Sequence, residues 1–385
     1  MNSRERVQLA LNHREPDRVP FDLGGTVVTG INVKAYRHLR RYLGLPEIEP
    51  TVVDILQQIA KVDDDVMDRM AVDVRNVSPR SSATYRIEIH ECGDYTCFHD
   101  EFRIGWRMPK DGGHYYDMYE HPLSGDRIAP EDVDAFPWPD PLDPARFTGL
   151  KESAQQVAHG EQRAVVIGSM SAGIMEIYAW LRGFKDHFTD LADNPKLAAR
   201  FLDRILEMHI AYWGRVLDII GDDIDVAMTA DDMAGQQAML ISPRTYRTLC
   251  KPRHKELFEF IHKHSRAKIF FHSCGAIRPV IPDLIEIGCD ILNPVQVSAA
   301  GIDTRELKRE FGKDIVFWGG GVDTQVILGS GTPEQVREET RRRIEDLMPG
   351  GGFVFNTVHN IQGNVPPQNI VAMWETLKEF GRYSC

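Results

Sequence analysis

No run in this chain approaches the roughly 20 apolar residues of a membrane span, so no segment reads as a transmembrane helix. The opening Met1-Asn2-Ser3-Arg4-Glu5-Arg6 lacks the apolar stretch of a signal peptide, and the expected home is the cytoplasm. Blocks of basic residues are missing too. Arg341-Arg342-Arg343 is short, with acids nearby, and the net charge is −12, from 57 Asp+Glu against 45 Lys+Arg. That excludes the electrostatic footprint of a nucleic-acid or anionic-membrane binder. Cysteine is scarce: six in 385 residues do not make a disulfide framework. Cys92 and Cys97 are close enough in sequence to pair across a hairpin, but reduced thiols are the expectation. No GxGxxG opens a helix after the first strand and no GxxxxGK is present, which removes the dinucleotide and phosphate-loop fingerprints.

What remains is ordinary globular composition, 42% hydrophobic and 26% charged, with length for a large core. Residues 1–80 read as helical and irregular, with helices over Arg4–Asn12, Val33–Leu43 and Asp63–Met70. A short first strand, Val19–Gly25, leads into a glycine turn. Residues 83–122 alternate in two stretches, Tyr85–His90 and Glu101–Arg107, punctuated by glycine, and predict an antiparallel hairpin insert. Its Trp106, Tyr115, Tyr116 and Tyr119 would either lid a site or pack on the body of the fold. After the Pro-rich stretch 136–141 the pattern becomes strand, helix, strand, helix. The strand candidates are 164–170, 224–229, 268–273, 289–294, 315–319 and 352–357, mostly dense in Val, Ile and Phe and not alternating, as strands buried on both faces read. Helices between them carry legible starts, such as Thr332-Pro333-Glu334-Gln335. Repeated βα units with one or two earlier strands predict a distorted (β/α)₈ barrel over one domain, 1–385, with the N-terminal helical segment and the 83–122 insert attached to it.

In such a barrel the chemistry gathers at the C-terminal ends of the strands. One strand ends Phe271-His272-Ser273-Cys274-Gly275. A His and a Cys two apart on an extended strand share a face and present an imidazole and a thiol to one volume. Alone, such a pair is more often a hydrogen-bonded core histidine beside a small buried thiol. A second apolar strand, 353–358, ends in His359, and the three make a zinc-type N, S, N set with an open fourth position. The thiolate needs a metal or another cation to form at neutral pH. Other strand ends offer Asp231-Asp232, Glu176, Asn293, Gln296, Asp323 and Gln362. Two adjacent acids exceed what one helix cap needs, so Asp231 and Asp232 are candidate fourth ligands or proton donors, and Glu176 is a weaker candidate for that task. Asn293, Gln296, Asp323 and Gln362 are candidate substrate-orienting groups, although Asp323 reads equally as a loop cap. Gly319-Gly320-Gly321 either opens space or makes a tight turn. Cys289 reads as core, and neither Cys250 nor Cys385 reads as a ligand.

These residues, with Asn12–Pro20, Ile241–Tyr246, Ile291–Gln296 and His359–Gln362, resemble the uroporphyrinogen decarboxylase superfamily, most of all its branch of cobalamin-dependent methyltransferases. The resemblance covers nearly the whole chain. It implies a distorted (β/α)₈ barrel, often paired as a homodimer, and a zinc held by a His-x-Cys pair and a distant Cys. Here His272 and Cys274 match the pair and His359 stands where the Cys would be. That exchange raises the charge at the metal by one and disfavours a second thiolate, so the expected substrate is a small O- or N-methyl compound and not a thiol. No DxHxxG signature of a cobalamin-binding domain is present, so the resemblance implies a corrinoid carried by a partner protein. Decarboxylases have an arginine-rich segment after the first strand. The corresponding stretch here, 21–30, has neither Arg nor Lys. The alternatives are a metal-free decarboxylase or lyase centred on Asp231, and a non-catalytic ligand-binding barrel.

Overall fold

Seven short parallel strands form one sheet in the computed structural model, which describes residues 1–383. They are β1 (Val74–Asn76), β2 (Ala164–Gly168), β3 (Val226–Ala230), β4 (Lys268–His272), β5 (Ile291–Asn293), β6 (Val316–Trp318) and β7 (Phe353–Val354), hydrogen-bonded in that order. Segment 19–23 closes the ring. Asp22 N–H donates to the Phe355 carbonyl at 2.9 Å, Phe355 N–H to the Pro20 carbonyl at 2.8 Å, and Asp73 N–H to the Phe21 carbonyl at 2.8 Å. Pro20 has no N–H to give, so this stave makes single bridges and not a continuous ladder. The result is the expected distorted barrel.

Strands β2 to β6 fall within one or two residues of the segments expected from their apolar runs, and β7 lies inside its expected segment but ends three residues earlier, at Val354. Most of their side chains are buried, consistent with helices on the outer face and a packed interior. Strand β1 was not expected: Asp73, Arg75 and Asn76 interrupt its apolar residues. Asp73 is fully buried and accepts from Arg6 at 2.7 Å and Arg18 at 2.7 Å, which pins the N-terminal helix and segment 19–23 to β1. The outer helices used below are α1 (Ile174–Arg182), α2 (Pro195–Ile220) and α3 (Lys251–His264). No helix among the described residues is long and apolar enough to cross a membrane.

The insert differs in detail from its sequence reading. It is a four-stranded antiparallel sheet over His90–Cys92, Tyr95–His99, Gly105–Pro109 and Asp117–Glu120, and residues 85–89 form no strand. Cys92 and Cys97 are disulfide-bonded, correcting the expectation of reduced thiols. The tight turn at Gly93 brings their Cα atoms to 6.1 Å, within disulfide reach. Trp106 packs edge-on against Trp180 of α1 at 5.3 Å, and Tyr116 against Phe98 at 4.9 Å. Those two rings therefore fasten the insert to the barrel and to itself; Tyr115 is exposed.

Candidate metal centre at the barrel mouth

Strand β4 sends Phe270 and Phe271 into the core and ends at His272, whose neighbours in register are Ala230 on β3 and Asn293 on β5. The His272 ring Nδ1 lies 2.6 Å from Asn293 Oδ1, and Asn293 Nδ2 donates to the Trp318 carbonyl at 2.9 Å. The second bond fixes which end of the amide is oxygen. Nδ1 must then carry the proton, leaving the Nε2 lone pair facing the mouth. Cys274 Sγ lies 3.5 Å from that Nε2. Zinc bonds of about 2.05 and 2.3 Å at a tetrahedral angle separate N and S by about 3.5 Å. His359, in the loop after β7, brings its ring to 5.4 Å from the His272 ring, and the three ligand atoms all lie within 4.8 Å of one another.

The surrounding turns are tightly specified. Gly275 sits at φ +89°, and a Cβ there would meet the Ala234 carbonyl oxygen at 2.5 Å. Its N–H donates to Gln296 Oε1 at 2.6 Å, and Cys274 N–H donates to Asp232 Oδ1 at 2.6 Å. On the other side, buried Asn360 accepts from Gly30 N–H at 2.6 Å and donates to the Val27 carbonyl at 2.7 Å. It thereby ties the loop carrying His359 to segment 27–30.

The three carboxylates have separate roles. Asp232 Oδ1 lies 3.7 Å from His272 Nε2, beside the ligand set. Asp231 is fully buried and turned away: Oδ2 lies 2.7 Å from His254 Nε2 on α3, and Oδ1 accepts from Glu176 N–H at 2.8 Å. It anchors two helices to the mouth. Successive residues in extended chain point to opposite faces, so adjacent acids part company. Glu176 gains weight. Burial, then the neighbouring Asp232 and Asp231 carboxylates, raises its pKa well above the usual range and favours the protonated acid.

The same surroundings bear on whether the three residues fit a metal. Burial, Asp232 and Glu176 push the Cys274 thiol well up, so it holds its proton at neutral pH. Burial and the nearby His272 lower His359 to about 4, so it is a neutral imidazole with a lone pair to give. Among the described residues no lysine or arginine pairs with Asp231, Asp232 or Glu176. A soft N, S, N set beside uncompensated carboxyl groups fits a divalent cation, and zinc by its ligand types.

Asn293 is fully buried and holds His272. Gln296 has its oxygen committed to Gly275. Asp323 is 7% exposed, and its two oxygens accept from Gln325 N–H and Val326 N–H, both at 3.1 Å, so it caps the loop. Gln362 is half-buried and donates to the Asn360 carbonyl at 3.3 Å. The three glycines make a packed turn: a Cβ on Gly321 would meet the Phe355 ring at 2.4 Å. Cys289 and Cys250 are buried away from the centre, and Cys385 lies outside the described residues. Sequence reasoning missed Asp22, which accepts from Trp318 Nε1 at 2.8 Å and which burial pushes up to about 6. It also missed His254 and Asn360. An acid inside the apolar 19–23 stretch was the available signal for Asp22; His254 is hidden among the charges of α3.

A family profile described as "Uroporphyrinogen decarboxylase (URO-D)" matches residues 115–380. A uroporphyrinogen decarboxylase of Chloroherpeton thalassium is 27% identical over 196 residues, 50% of this chain and 51% of that protein. One from Alkalilimnicola ehrlichii is 25% identical over 300 residues, 73% of each. With the first of these relatives, then, the chain spans about half their length. A methyltransferase from Methanosarcina mazei superposes with a TM-score of 0.65 at 17% identity, covering 99% of both chains; at that identity it speaks for the fold.

Proposed function

The chain belongs to the uroporphyrinogen decarboxylase family, and from that premise we propose a zinc-dependent methyltransferase that moves a methyl group between a small O- or N-methyl substrate and a corrinoid on a partner protein. The observation that carries this reading is the convergence of His272, Cys274 and His359 on one small volume at the mouth. Those three residues would hold the zinc. When bound, zinc supplies a Lewis acid for the atom bearing the methyl group, and the partner's corrinoid supplies the methyl acceptor or donor. Asn293 keeps His272 in the ligating tautomer. Glu176, whose pKa burial and the neighbouring carboxylates raise toward the protonated acid, lies near Asp232 and Cys274 and would give a proton to a leaving oxygen or nitrogen. The name of the Methanosarcina neighbour agrees with methyl transfer. The proposal includes a homodimer in the cytoplasm.

Decarboxylation of a polyanionic tetrapyrrole fits less well. Segment 21–30 contributes Asp22 and the mutually hydrogen-bonded Thr26 and Thr29, and no cation. Metal analysis of untagged protein tests the proposal. About one zinc per chain is expected, and less than about one tenth overturns it. His272→Ala should lower methyl transfer to cob(I)alamin by at least about 100-fold with the far-UV spectrum unchanged; retained transfer also overturns it.

A further inference from the structure

Beside the ligand set, above β1, β2 and β3, lies a cavity of about 190 Å³. Its wall includes Ala230, which pairs in register with His272 and directly precedes Asp231-Asp232. Neighbouring strands are about 4.8 Å apart, so a ligand seated here is one strand away from the metal centre. A dry cavity of about 150 Å³ accepts benzene, and this one has room for a single ring with a small substituent. Val27, Met170, Tyr212 and Met228 contribute to its apolar surface, and Asn76 and Thr229 are among the polar residues that also line it. Thioethers make favourable contacts with aromatic rings. Met170 also lines a larger cavity of about 630 Å³ beneath the insert sheet, which adjoins the first.

Two guanidinium groups line the smaller cavity, and they differ. Arg146 is buried and committed, donating to the Asp140 carbonyl at 2.8 Å and pairing with Glu101. Arg80 has its backbone held by the Arg146 carbonyl at 2.8 Å, yet among the described residues its side chain makes neither a hydrogen bond nor an ion pair. An exposed guanidinium without a partner at the edge of an aromatic-sized cavity, whose other cation Arg146 is already paired with Glu101, recognises a carboxylate on the ligand's far end.

We propose that this cavity is the substrate pocket, that its ligand is an aromatic methyl ether carrying a carboxylate, and that Arg80 binds that carboxylate. The proposal rests on the methyl-transfer reading for the word substrate, but its test does not need turnover. Binding of 4-methoxybenzoate and of its neutral isostere 4-methoxybenzamide is measured by calorimetry at fixed salt, with metal-free and zinc-loaded protein. Wild type should bind the benzoate at least about tenfold more tightly than the amide. Arg80→Gln should erase that preference while leaving amide binding and zinc content unchanged, and Arg80→Lys should restore part of it. Equal binding of the two probes, no binding of either at millimolar concentration, or a preference that survives Arg80→Gln overturns the assignment. Absence of zinc and of methyl transfer, with the Arg80-dependent preference intact, would defeat the catalytic reading and leave the pocket standing.

Discussion

His209, midway along α2, is buried with no hydrogen-bond partner for either ring nitrogen among the described residues. Burial lowers its pKa from 6.5 to about 4; the nearby Asp231 opposes the shift and His254 adds to it. Between those two values the unfolded chain binds a proton that the folded chain refuses. Stability therefore rises with pH across the window from 4 to 6.5 and is lost as the pH falls through it. Between pH 7.5 and pH 5 the loss from this one group is about 2 kcal/mol. His209→Leu, close in volume, removes the titration. Urea unfolding of metal-free protein at the two pH values should show the variant losing about 2 kcal/mol less than wild type over that interval. Parallel losses would rule out a neutral, buried His209.

At the scale of elements, the centre depends on how closely α1 approaches the end of β3. Gly173 precedes α1, and a Cβ there would lie 1.6 Å from the Ala230 carbonyl and 2.3 Å from Asp231 Oδ1. No side-chain rotation relieves a clash with backbone. Gly173→Ala should cost about 3 kcal/mol and displace Glu176, whereas Gly168→Ala, which meets nothing within 4 Å, should stay within about 1 kcal/mol of wild type in the same denaturation assay. Such constraints also mark how far the sequence could be read. Strands β2 to β7 were legible because burial on both faces demands uninterrupted apolar runs. The His272–Cys274 pair was legible because its spacing alone puts both side chains on one face. Strand β1 was not, since its burial is completed by Asp73 neutralising Arg6 and Arg18, a long-range pairing that leaves no local pattern. Nor was the division of labour between Asp231 and Asp232, which is set by His254 arriving from another helix.

Over the whole molecule, the proposed metal ligands join parts of the ring that the sheet itself holds apart. His272 and Cys274 follow β4 and His359 follows β7, with β5 and β6 between them. A zinc ion bound only by the folded barrel stabilises it by mass action, about 2.7 kcal/mol at a free concentration one hundred times Kd. The size of that effect should depend on pH in a direction the ligands dictate. His359, lowered to about 4, has no proton to lose above pH 6, whereas the Cys274 thiol, raised by burial and by Asp232 and Glu176, must release one on binding. Zinc affinity should therefore tighten about tenfold per pH unit on account of Cys274, adding about 1.4 kcal/mol of stabilisation per unit at fixed free zinc. In thermal melts of metal-free protein titrated with buffered zinc between pH 6 and pH 8, the zinc-induced rise in Tm should grow steadily with pH. Cys274→Ala should reduce it and flatten its pH dependence, and His359→Ala should reduce it without flattening the dependence. A rise in wild type that ignores pH, or one that survives loss of both Cys274 and His359, would place any zinc elsewhere on the chain.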